Sequence, residues 1–512
     1  MNAPPALIAT LAFGAVALVV GAPRWLRLAQ REHYLAGSVS RFALRWWALL
    51  PWNPLLVAIA LAAFGVGIDW VPIAAGGAAV TSVAPLGLSL RGRTGPLRWT
   101  PRLRTLAAVA SVVAAAAIGL VALAGLRPAA VVACVSTLVA PGIVDAGLVL
   151  TRPLERRRLR PFLRRAAETL GRVQPKVVAI TGSYGKTTTK GYVAHLLAGS
   201  FSVVPSPRSF NNRAGLATAV NNYLAPGTEV FVAEMGTYGP GEIAELCRMV
   251  PPDVAVITAI GPVHLERMGT EERIAQAKAE IIVDAPVVVL NVDHPLLATL
   301  ADEAVSQGKK VWRCSARDAG ADVVVRAEAD GLRVGLAGVT YTIRDLHAAP
   351  TNVACALAVA SELGVSPEAI ARRLPGLPAA EHRQVVSIGQ GGQTIIDDTY
   401  NANPAGAAAA LSLLARLGAD RGRRVLVTPG MVELGVRQAD ANRQMVAAAA
   451  GVATHLVVVG ATNAAALLAG ASGTDLEVVR VANRREAVSW VAAHTGPGDV
   501  VLYENDLPDH FP

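Results

Sequence analysis

The chain has 512 residues, enough for about three domains, and its composition of 53% hydrophobic and only 17% charged residues excludes an ordinary soluble protein. Its net charge of +9 comes from the first third, because residues 1–165 contain 18 Arg, no Lys and four acidic residues, whereas residues 166–512 contain 29 basic and 34 acidic residues. The basic residues flank apolar stretches and no basic stripe with interleaved aromatic residues follows, so the charge indicates a membrane surface and excludes a nucleic-acid partner.

Apolar stretches of nearly membrane-spanning length occupy the first third. There are five of them, at residues 5–23, 48–68, 70–90, 105–126 and 128–150. Arg-rich segments follow the first, third and fifth stretches, and Arg-rich loops stay in the cytoplasm. We therefore expect a transmembrane region of about five helices at residues 1–150, with its N-terminus outside, and a basic cytoplasmic linker at 151–172. A cleaved signal peptide at residues 1–23 is an alternative, but no positively charged segment precedes this apolar run.

These features predict a multi-pass protein of the cell membrane that contacts membrane lipids. The remaining domains would lie in the cytoplasm. A transporter is disfavoured, because the only acidic residues in or between the apolar stretches 48–68, 70–90 and 128–150 that could serve a translocation path are Asp69, between the first two, and Asp145, near the end of the last.

A glycine-rich segment begins after the linker. The apolar run PKVVAI (175–180), the turn GSYG and the helically spaced KTTTKGYVAHLLAG predict a strand, a turn and a helix that aims its N-terminus at an anion. Lys186 can reach the β- and γ-phosphates of a nucleotide, and the Thr187 hydroxyl suits Mg²⁺. The G-x-x-x-x-G-K-[ST] pattern is not met, because Ile180 stands where its first glycine is required. A glycine turn without a ligand therefore remains an alternative for this segment alone.

Five later segments give the glycine-rich loop its context. They are SFNNRAGLATAVNNYL (209–224), FVAEMGTYGPGEIAEL (231–246), ITAIGPVHLERMGTEERIAQAKAEI (257–281), IIDDTYNANPAGAAAAL (395–411) and GMVELG (430–435). Together with ITGSYGKTTTK (180–190), they resemble the Mur ligase family, the ATP-dependent amino-acid ligases of cell-wall peptide synthesis. The resemblance extends over about 173–505. The DDTYNANP string is most similar to the branch that adds D-alanyl-D-alanine to a UDP-muramoyl tripeptide.

The resemblance implies an α/β fold and an ADP-forming reaction. Residues 173–375 would form a central ATP-binding domain with a mostly parallel sheet, and residues 376–512 a Rossmann-like C-terminal domain with RVLVTP, HLVVVG and DVVLYE as strands. The enzyme would use ATP and Mg²⁺ to convert a carboxylate into an acyl phosphate, which an amine then attacks. The expected partners are a small-molecule or lipid-linked cell-wall precursor and an amino acid or dipeptide.

The resemblance also implies binding residues. The expected ATP-binding residues are Gly182, Ser183, Tyr184, Gly185, Lys186, Thr187, Thr188, Asn291, Asn352 and Arg383. The expected substrate-binding residues are Asn211, Asn212, Asp397, Asp398, Tyr400, Asn401 and Asn403. Of the second group, the five residues from Asp397 to Asn403 would line a cleft between the central and C-terminal domains.

Metal binding and catalysis are assigned by the resemblance to fewer residues. Two Mg²⁺ ions are expected, the first held by Thr187 and Glu234 and the second by His264. Lys278 matches the lysine that family members carbamylate with CO₂, which turns an ammonium into an anionic metal ligand. Lys186, His264 and Lys278 are therefore the expected catalytic residues. A strand-end Glu, a single His and a helical Lys are each also compatible with a structural position, so these roles depend on the resemblance.

Three departures from the family pattern concern the substrates. The predicted membrane region stands in place of the family's N-terminal UDP-binding domain. Cys355 stands where a second asparagine near the adenine is expected, and VLYENDLPDHFP (501–512) replaces a basic L-K-G-S-R stretch, which introduces Glu504 and Asp506. These departures leave open whether the acceptor is linked to UDP or to a lipid.

Two other functions compete with the muropeptide ligase. One is a membrane-associated polyglutamate-type synthetase, and the DDTYNANP string disfavours it. The other is a nucleotide-binding membrane scaffold that does not ligate. The presence of Lys186, Glu234 and Lys278 argues against such a scaffold, because a protein without catalytic activity would not need all three.

Overall fold

The computed structural model describes residues 4–49, 52–88, 97–328, 331–336, 339–344, 348–378, 384–400, 402–418, 422–507 and 511. Two units are distinguished, one made mainly of the chain up to Arg158 and the other mainly of Leu159–Val459 and Asn463–Asp506. The predicted site residues Arg383 and Asn401 lie outside the described residues.

The first unit is helical where it is described. Its helices are α1 (Pro5–Arg31), α2 (Ser38–Leu49), α3 (Trp52–Val66), α4 (Pro72–Val83), α5 (Pro101–Ala122), α6 (Leu126–Val135) and the first part of α7 (Ala140–Val173). Among the described residues, α1 and α5 are long and apolar enough to cross a membrane, and up to four spans result if each of two bent helix pairs is a single span. The count of about five spans stays a prediction.

Two of the predicted spans are interrupted in the structure. In the stretch 70–90, α4 has 12 residues and is about 18 Å long, whereas the hydrocarbon core of a bilayer is about 30 Å thick. This helix ends at Val83 because the next residue, Ala84, precedes a proline and is extended, with ψ 152°. The stretch 128–150 is divided between α6 and α7, and the chain bends by 87° between these two helices. Hydropathy does not reveal these breaks, because the residues on both sides stay apolar.

The basic segment predicted as a linker is helical. It forms part of α7, which has 34 residues. At its C-terminal end, Leu163, Ala166 and Leu170 pack against the core of the second unit. Their spacing of three and four residues places them on one face of the helix, so the arginines can occupy the other faces.

The larger sheet contains nine described strands. They are β1 (Lys176–Thr181), β2 (Val203–Pro205), β3 (Val230–Glu234), β4 (Val254–Ile257), β5 (Val287–Asn291), β6 (Lys310–Ser315), β7 (Val323–Glu328), β8 (Gly331–Leu336) and β9 (Val339–Arg344). Their order is β2-β3-β1-β4-β5-β6-β7-β8-β9, parallel from β2 to β7 and antiparallel from β7 to β9. The expected mixed α/β fold with a mostly parallel sheet is confirmed.

Helices cover both faces of this sheet. They are α8 (Lys186–Leu197), α9 (Arg213–Tyr223), α10 (Glu242–Met249), α11 (Leu265–Met268), α12 (Glu271–Ala279), α13 (Pro295–Ser306), α14 (Pro350–Glu362) and α15 (Pro367–Arg373). In β3, Phe231 and Ala233 enter the core on one face, whereas Val230 and Val232 enter the core on the other. Burial on both faces explains why the strands are continuous apolar runs.

The smaller sheet contains six described strands. They are β10 (Val385–Ile388), β11 (Thr394–Asp398), β12 (Arg424–Thr428), β13 (His455–Val459), β14 (Glu477–Val481) and β15 (Val500–Glu504). Their order is β10-β11-β15-β12-β13-β14, and only β10 is antiparallel to its neighbour. The accompanying helices are α16 (Pro404–Leu417), α17 (Gln438–Ala449), α18 (Ala464–Ala471) and α19 (Arg484–His494). The three strands expected from the sequence are β12, β13 and β15.

The strand order of the larger sheet decides where the site lies. Strands β3, β1, β4 and β5 are consecutive neighbours, and all of them run in the same direction. Their carboxyl ends, at Glu234, Thr181, Ile257 and Asn291, therefore meet at one edge, where ligands bind in open α/β sheets.

Candidate active site

The nucleotide loop between β1 and α8 depends on two glycines. Gly182 has φ 152°, and a Cβ there would lie 2.0 Å from Thr258 Oγ1. Gly185, the residue before α8, has φ 82°, and a Cβ there would lie 2.4 Å from Asn352 Oδ1. Both positions combine a backbone conformation that favours glycine with a close neighbour, so the loop requires these residues.

The other loop residues connect the loop to the segment after β4. The Ser183 backbone N–H donates to the Ala259 carbonyl at 2.8 Å, and the Gly261 N–H donates to Ser183 Oγ at 3.1 Å. The Tyr184 hydroxyl donates to the Ile260 carbonyl at 3.2 Å. These contacts hold the loop beside the end of β4. The remaining loop residue, Thr188, lies in the first turn of α8 and is half-buried.

Lys186 is folded over its own loop. Its Nζ donates to the carbonyls of Gly182 at 2.7 Å and Ser183 at 3.4 Å. The ammonium group therefore lies at the nucleotide loop, where it could donate to a bound phosphate instead.

The carboxylate of Glu234, at the end of β3, is the centre of a polar cluster. It is 1% exposed, and its Oε2 accepts from Thr187 Oγ1 at 2.9 Å and from Lys190 Nζ at 3.0 Å. Its Oε1 accepts from Asn211 Nδ2 at 3.1 Å. Burial opposes ionisation, but Lys190 and Lys186 outweigh it and hold the pKa of Glu234 below its ordinary value. The group is therefore an anion at neutral pH.

The residues present fit a magnesium ion that also binds phosphate. Thr187 and Glu234 provide hard oxygen donors 2.9 Å apart beside the nucleotide loop. Mg²⁺ is usually held by one or two carboxylates together with substrate phosphates and water, rather than by a cage of protein ligands. Among the described residues no cluster of three or more His, Cys, Asp or Glu side chains occurs.

Lys278 is a buried amine on α12. It is 2% exposed, and burial, followed by the positive charge of Lys186, holds the pKa of its amine well below the ordinary value of 10.5. Lowering the pKa in this way increases the fraction of neutral amine, the form that reacts with electrophiles such as CO₂.

His264 lies in the same electrostatic environment. Burial lowers its pKa against the opposing effect of Glu433, and the charges of Lys278 and Lys186 lower it further. The charge of Lys186 thus acts on Glu234, His264 and Lys278, although these residues are separated in the sequence.

The imidazole of His264 contacts one residue that follows a strand of the larger sheet and one that follows a strand of the smaller sheet. Its Nδ1 lies 2.6 Å from Oε2 of Glu433, in the loop after β12. The ring also makes an edge contact with Tyr238, with centroids 5.2 Å apart. The His264 side chain is 18% exposed.

Two predicted adenine-side residues adjoin the nucleotide loop. Asn291, at the end of β5, donates to the Thr258 carbonyl at 2.9 Å and accepts from the Asp293 N–H at 3.2 Å. Asn352, in the first turn of α14, lies against Gly185. Cys355 lies on the same helix and is fully buried in the hydrophobic core beneath it, so its side chain has no exposed surface that could contact a ligand.

Among the predicted substrate residues, two asparagines cap helices and one tyrosine is exposed. Asn212 and Asn403 accept from the Gly215 and Gly406 N–H groups, so their side chains cap α9 and α16. Tyr400 is 46% exposed, and its hydroxyl lies 2.5 Å from Ser209 Oγ, which joins the two predicted substrate segments. Asn212 and Asn403, which were expected to contact the substrate, thus have side chains that cap helices in this structure.

Acidic residues occupy the carboxyl ends of β11 and β15. Asp397 accepts from the Thr399 N–H and hydroxyl, and Asp506 is paired with Arg484 at 2.5 Å. Glu504 is 1% exposed, and within the described residues no cation or backbone donor pairs with it. Burial and the neighbouring Asp398 carboxyl raise the pKa of Glu504 well above 4.5, so it stays protonated above that pH.

Two residues of the site were not identified from the sequence. Lys190 follows Lys186 by four residues and therefore lies on the same face of α8, a spacing that could have identified it. Glu433 belongs to the quoted segment GMVELG, but nothing in that segment indicates that it meets His264, 169 residues earlier in the chain.

Two family models match the part of the chain that carries the two sheets. Residues 180–358 match the family model described as the Mur ligase middle domain, and residues 382–503 match that described as the Mur ligase, glutamate ligase domain. The second match ends immediately before Glu504.

Two similar proteins from different bacteria have the same name. The UDP-N-acetylmuramoyl-tripeptide--D-alanyl-D-alanine ligase of Mycobacterium leprae (strain TN) is 34% identical over 364 residues, which cover 64% of this chain and 70% of the relative. The ligase of the same name from Bacillus subtilis (strain 168) is 32% identical over 270 residues, covering 51% of this chain and 57% of the relative. The crystal structure of MurF ligase from Thermotoga maritima in complex with ADP is 28% identical with a TM-score of 0.59, and covers 68% of this chain and 80% of that one.

Replacing Gly185 by alanine should weaken ATP binding by at least about tenfold. The added Cβ is strained at φ 82° and would lie 2.4 Å from Asn352 Oδ1, so the loop must move. Gly473→Ala is the matched control, because Gly473 has φ 75° but nothing lies within 4 Å of its added Cβ. Titration of the purified chain with a fluorescent ATP analogue measures both affinities, and equal affinities would contradict the assignment.

Glu504→Gln should reduce the pH dependence of stability. The folded protein binds the Glu504 proton more tightly than the unfolded chain does. The contribution of Glu504 to the free energy of unfolding is therefore fully present below pH 4.5 and is lost as the pH rises through the elevated pKa of the folded state. The loss is at most ~1.4 kcal/mol for each pH unit. Urea unfolding at several pH values from 4.5 upward measures it, and an unchanged pH dependence in the variant would contradict the raised pKa.

Proposed function

Because the chain belongs to the Mur ligase family and is an ATP-dependent acid–amino-acid ligase, we propose that it joins D-alanyl-D-alanine to the peptide carboxylate of a UDP-linked muramoyl tripeptide. The observation that carries the ATP-dependent step is the Thr187–Glu234 contact at the nucleotide loop, which supplies an anion and a hydroxyl beside the expected phosphates. The choice of substrates is supported by the name of the relatives. The polyglutamate-type alternative receives less support, since a bifunctional folylpolyglutamate synthase/dihydrofolate synthase of known structure, from Yersinia pestis, is 20% identical and shares the fold alone.

The proposed reaction has two steps. The acceptor carboxylate attacks the γ-phosphorus of ATP, which forms an acyl phosphate and releases ADP. The amine of the dipeptide then attacks the acyl carbon, the amide forms, and inorganic phosphate leaves with the proton of the amine going to solvent or a base. Lys186 binds the transferring phosphoryl oxygens and neutralises the charge that develops on them.

The metal-binding roles belong to this proposal. Thr187 and Glu234 would hold a first Mg²⁺, and His264 with carbamylated Lys278 a second. When bound, these ions supply positive charge to the phosphate oxygens. The buried carboxylate and the buried, easily deprotonated amine support these assignments.

The membrane location is also part of this proposal. The helices α1 and α5 have the length and composition of membrane spans, and the arginines of α7 suit an anionic lipid surface. The catalytic unit would then work at the cytoplasmic surface. The named relatives favour a UDP-linked acceptor over a lipid-linked one.

Lys186→Ala should lower the rate of phosphate release at least about a hundredfold, because the phosphoryl oxygens lose their cationic partner. The assay uses the full chain in detergent with ATP, Mg²⁺, UDP-muramoyl tripeptide or its lipid-linked form, and a panel of amino acids and dipeptides. Lys176→Ala is the matched control, since Lys176 is an exposed lysine at the start of β1. Full turnover by the Lys186 variant would refute the proposed role, and turnover with only the lipid-linked acceptor would refute the UDP-linked one.

Lys278 should carry a carbamate in the active protein. We expect a ¹³C signal from ¹³CO₂-equilibrated protein that is missing in Lys278→Met, and turnover that falls in CO₂-free buffer and recovers with bicarbonate. The buried, low-pKa amine is the reason for this expectation. Identical carbon spectra for the two proteins would exclude the modification.

A further inference from the structure

The contact between His264 and Glu433 joins segments that follow different sheets. His264 immediately precedes α11, which lies after β4 of the larger sheet, and Glu433 lies in the loop after β12 of the smaller one. Their Nδ1 and Oε2 atoms are 2.6 Å apart, and the Glu266 backbone N–H donates to the Glu433 carbonyl at 3.4 Å. The contact therefore involves both the side chain and the backbone of Glu433.

Both residues adopt an uncommon backbone conformation. His264 has φ 66° and Glu433 has φ 65°, in the left-handed region that most side chains avoid. Such conformations persist only where the surrounding structure fixes them, and they cluster at functional sites. Here the two strained residues meet directly.

Neighbouring side chains restrict the pair further. Arg267 donates to the other carboxylate oxygen of Glu433 at 3.3 Å, and its guanidinium lies 4.9 Å from the centroid of the Tyr238 ring. Tyr238 in turn makes its edge contact with the imidazole of His264. The imidazole is therefore held by Glu433 at one nitrogen and by an aromatic ring at its side.

We propose that Glu433 is a positioning residue that fixes His264 as its Nδ1–H tautomer and leaves Nε2 as the electron-pair donor for a divalent cation. A carboxylate can only accept, so the short contact requires the proton on Nδ1. Histidines that bind metals commonly donate their second ring N–H to a carboxylate in this way. The inference rests on the proposed function, because it concerns the cation assigned to His264 there.

This arrangement makes the metal site depend on the smaller sheet. The loop after β12 must be in place before His264 has its tautomer and orientation fixed. The second-metal site is then complete only when the segments that bear the two sheets are in contact. Removing an outer carboxylate of this kind typically lowers metal affinity about 10- to 100-fold.

A merely structural role for Glu433 makes a different prediction. An ion pair that only joins two segments contributes to stability and leaves metal affinity unchanged. The Arg437–Glu271 pair, at 2.8 Å, joins the same two parts of the protein and provides the matched control. Arg437 has a 60% exposed side chain, and Arg437→Gln removes that link without replacing a group of the pair under test.

The first measurement is Mn²⁺ binding to the full chain in detergent, with a non-hydrolysable ATP analogue present, by electron paramagnetic resonance. The wild-type protein and Arg437→Gln should bind two ions. Glu433→Ala should bind the weaker of them at least about tenfold less tightly. Glu433→Gln, whose amide oxygen can still accept from Nδ1, should show a smaller loss. Thermal unfolding of each variant verifies that the fold is retained.

The second measurement needs no metal. Protein labelled with ¹⁵N-histidine reports the tautomer of His264 in its ring nitrogen shifts, with the signal assigned by its loss in His264→Gln. We expect the Nδ1–H tautomer in the wild type and in Arg437→Gln, and a mixture of tautomers in Glu433→Ala.

Three results would overturn the inference: a single Mn²⁺ site in the wild type, unchanged affinity for both ions in Glu433→Ala, or an unchanged tautomer in that variant. Each is distinguishable from failure of the proposed function, which would appear as absent ligation in the wild type. Ligation that proceeds normally while Glu433→Ala binds both ions like the wild type refutes only the positioning role.

Discussion

The buried carboxylate of Glu234 holds the nucleotide site together. An ionised group at this depth must be paired, and its partners come from two further parts of the chain, since Thr187 and Lys190 lie on α8 and Asn211 lies before α9. The Lys190 ammonium also contacts the carbonyl of Arg208. The strand end, the first turns of the helix and the Asn211 segment are therefore fixed to one another. A cation bound at Thr187 would meet a carboxylate that is already ionised and oriented.

The parallel sheet provides the frame for this interaction. Because β1 lies between β3 and β4, the nucleotide loop emerges between the strand that ends at Glu234 and the one followed by the segment that leads to His264. The positive charge of Lys186 consequently acts on Glu234, His264 and Lys278 together. It adds to the effect of Lys190 in favouring the anion of Glu234, and to the larger effect of burial in opposing protonation of His264 and Lys278.

The smaller sheet contributes a different kind of chemistry. Its strand ends hold acidic side chains. Glu504 is buried, and within the part of the chain that the structure describes neither a cation nor a backbone donor pairs with it. The loop after β12, in contrast, places Glu433 against His264. The sequence change from a basic to an acidic segment at this end thus introduces Glu504, a buried carboxyl with a raised pKa, and Asp506, a partly exposed carboxyl that is paired with Arg484. The match to the family model ends at residue 503, immediately before this carboxyl.

The sequence by itself determined the features with local causes. These are the strand, glycine turn and helix of the nucleotide loop, the apolar strands of both sheets, and the Glu, His and Lys residues that the family motifs identify. Tertiary structure alone decided the pairing of Lys190 with Glu234, the meeting of Glu433 with His264, the capping roles of Asn212 and Asn403, and the division of the apolar stretch 128–150 into two helices. The physical reason is that composition and spacing specify what a segment can form, whereas contacts between distant segments depend on strand order and packing.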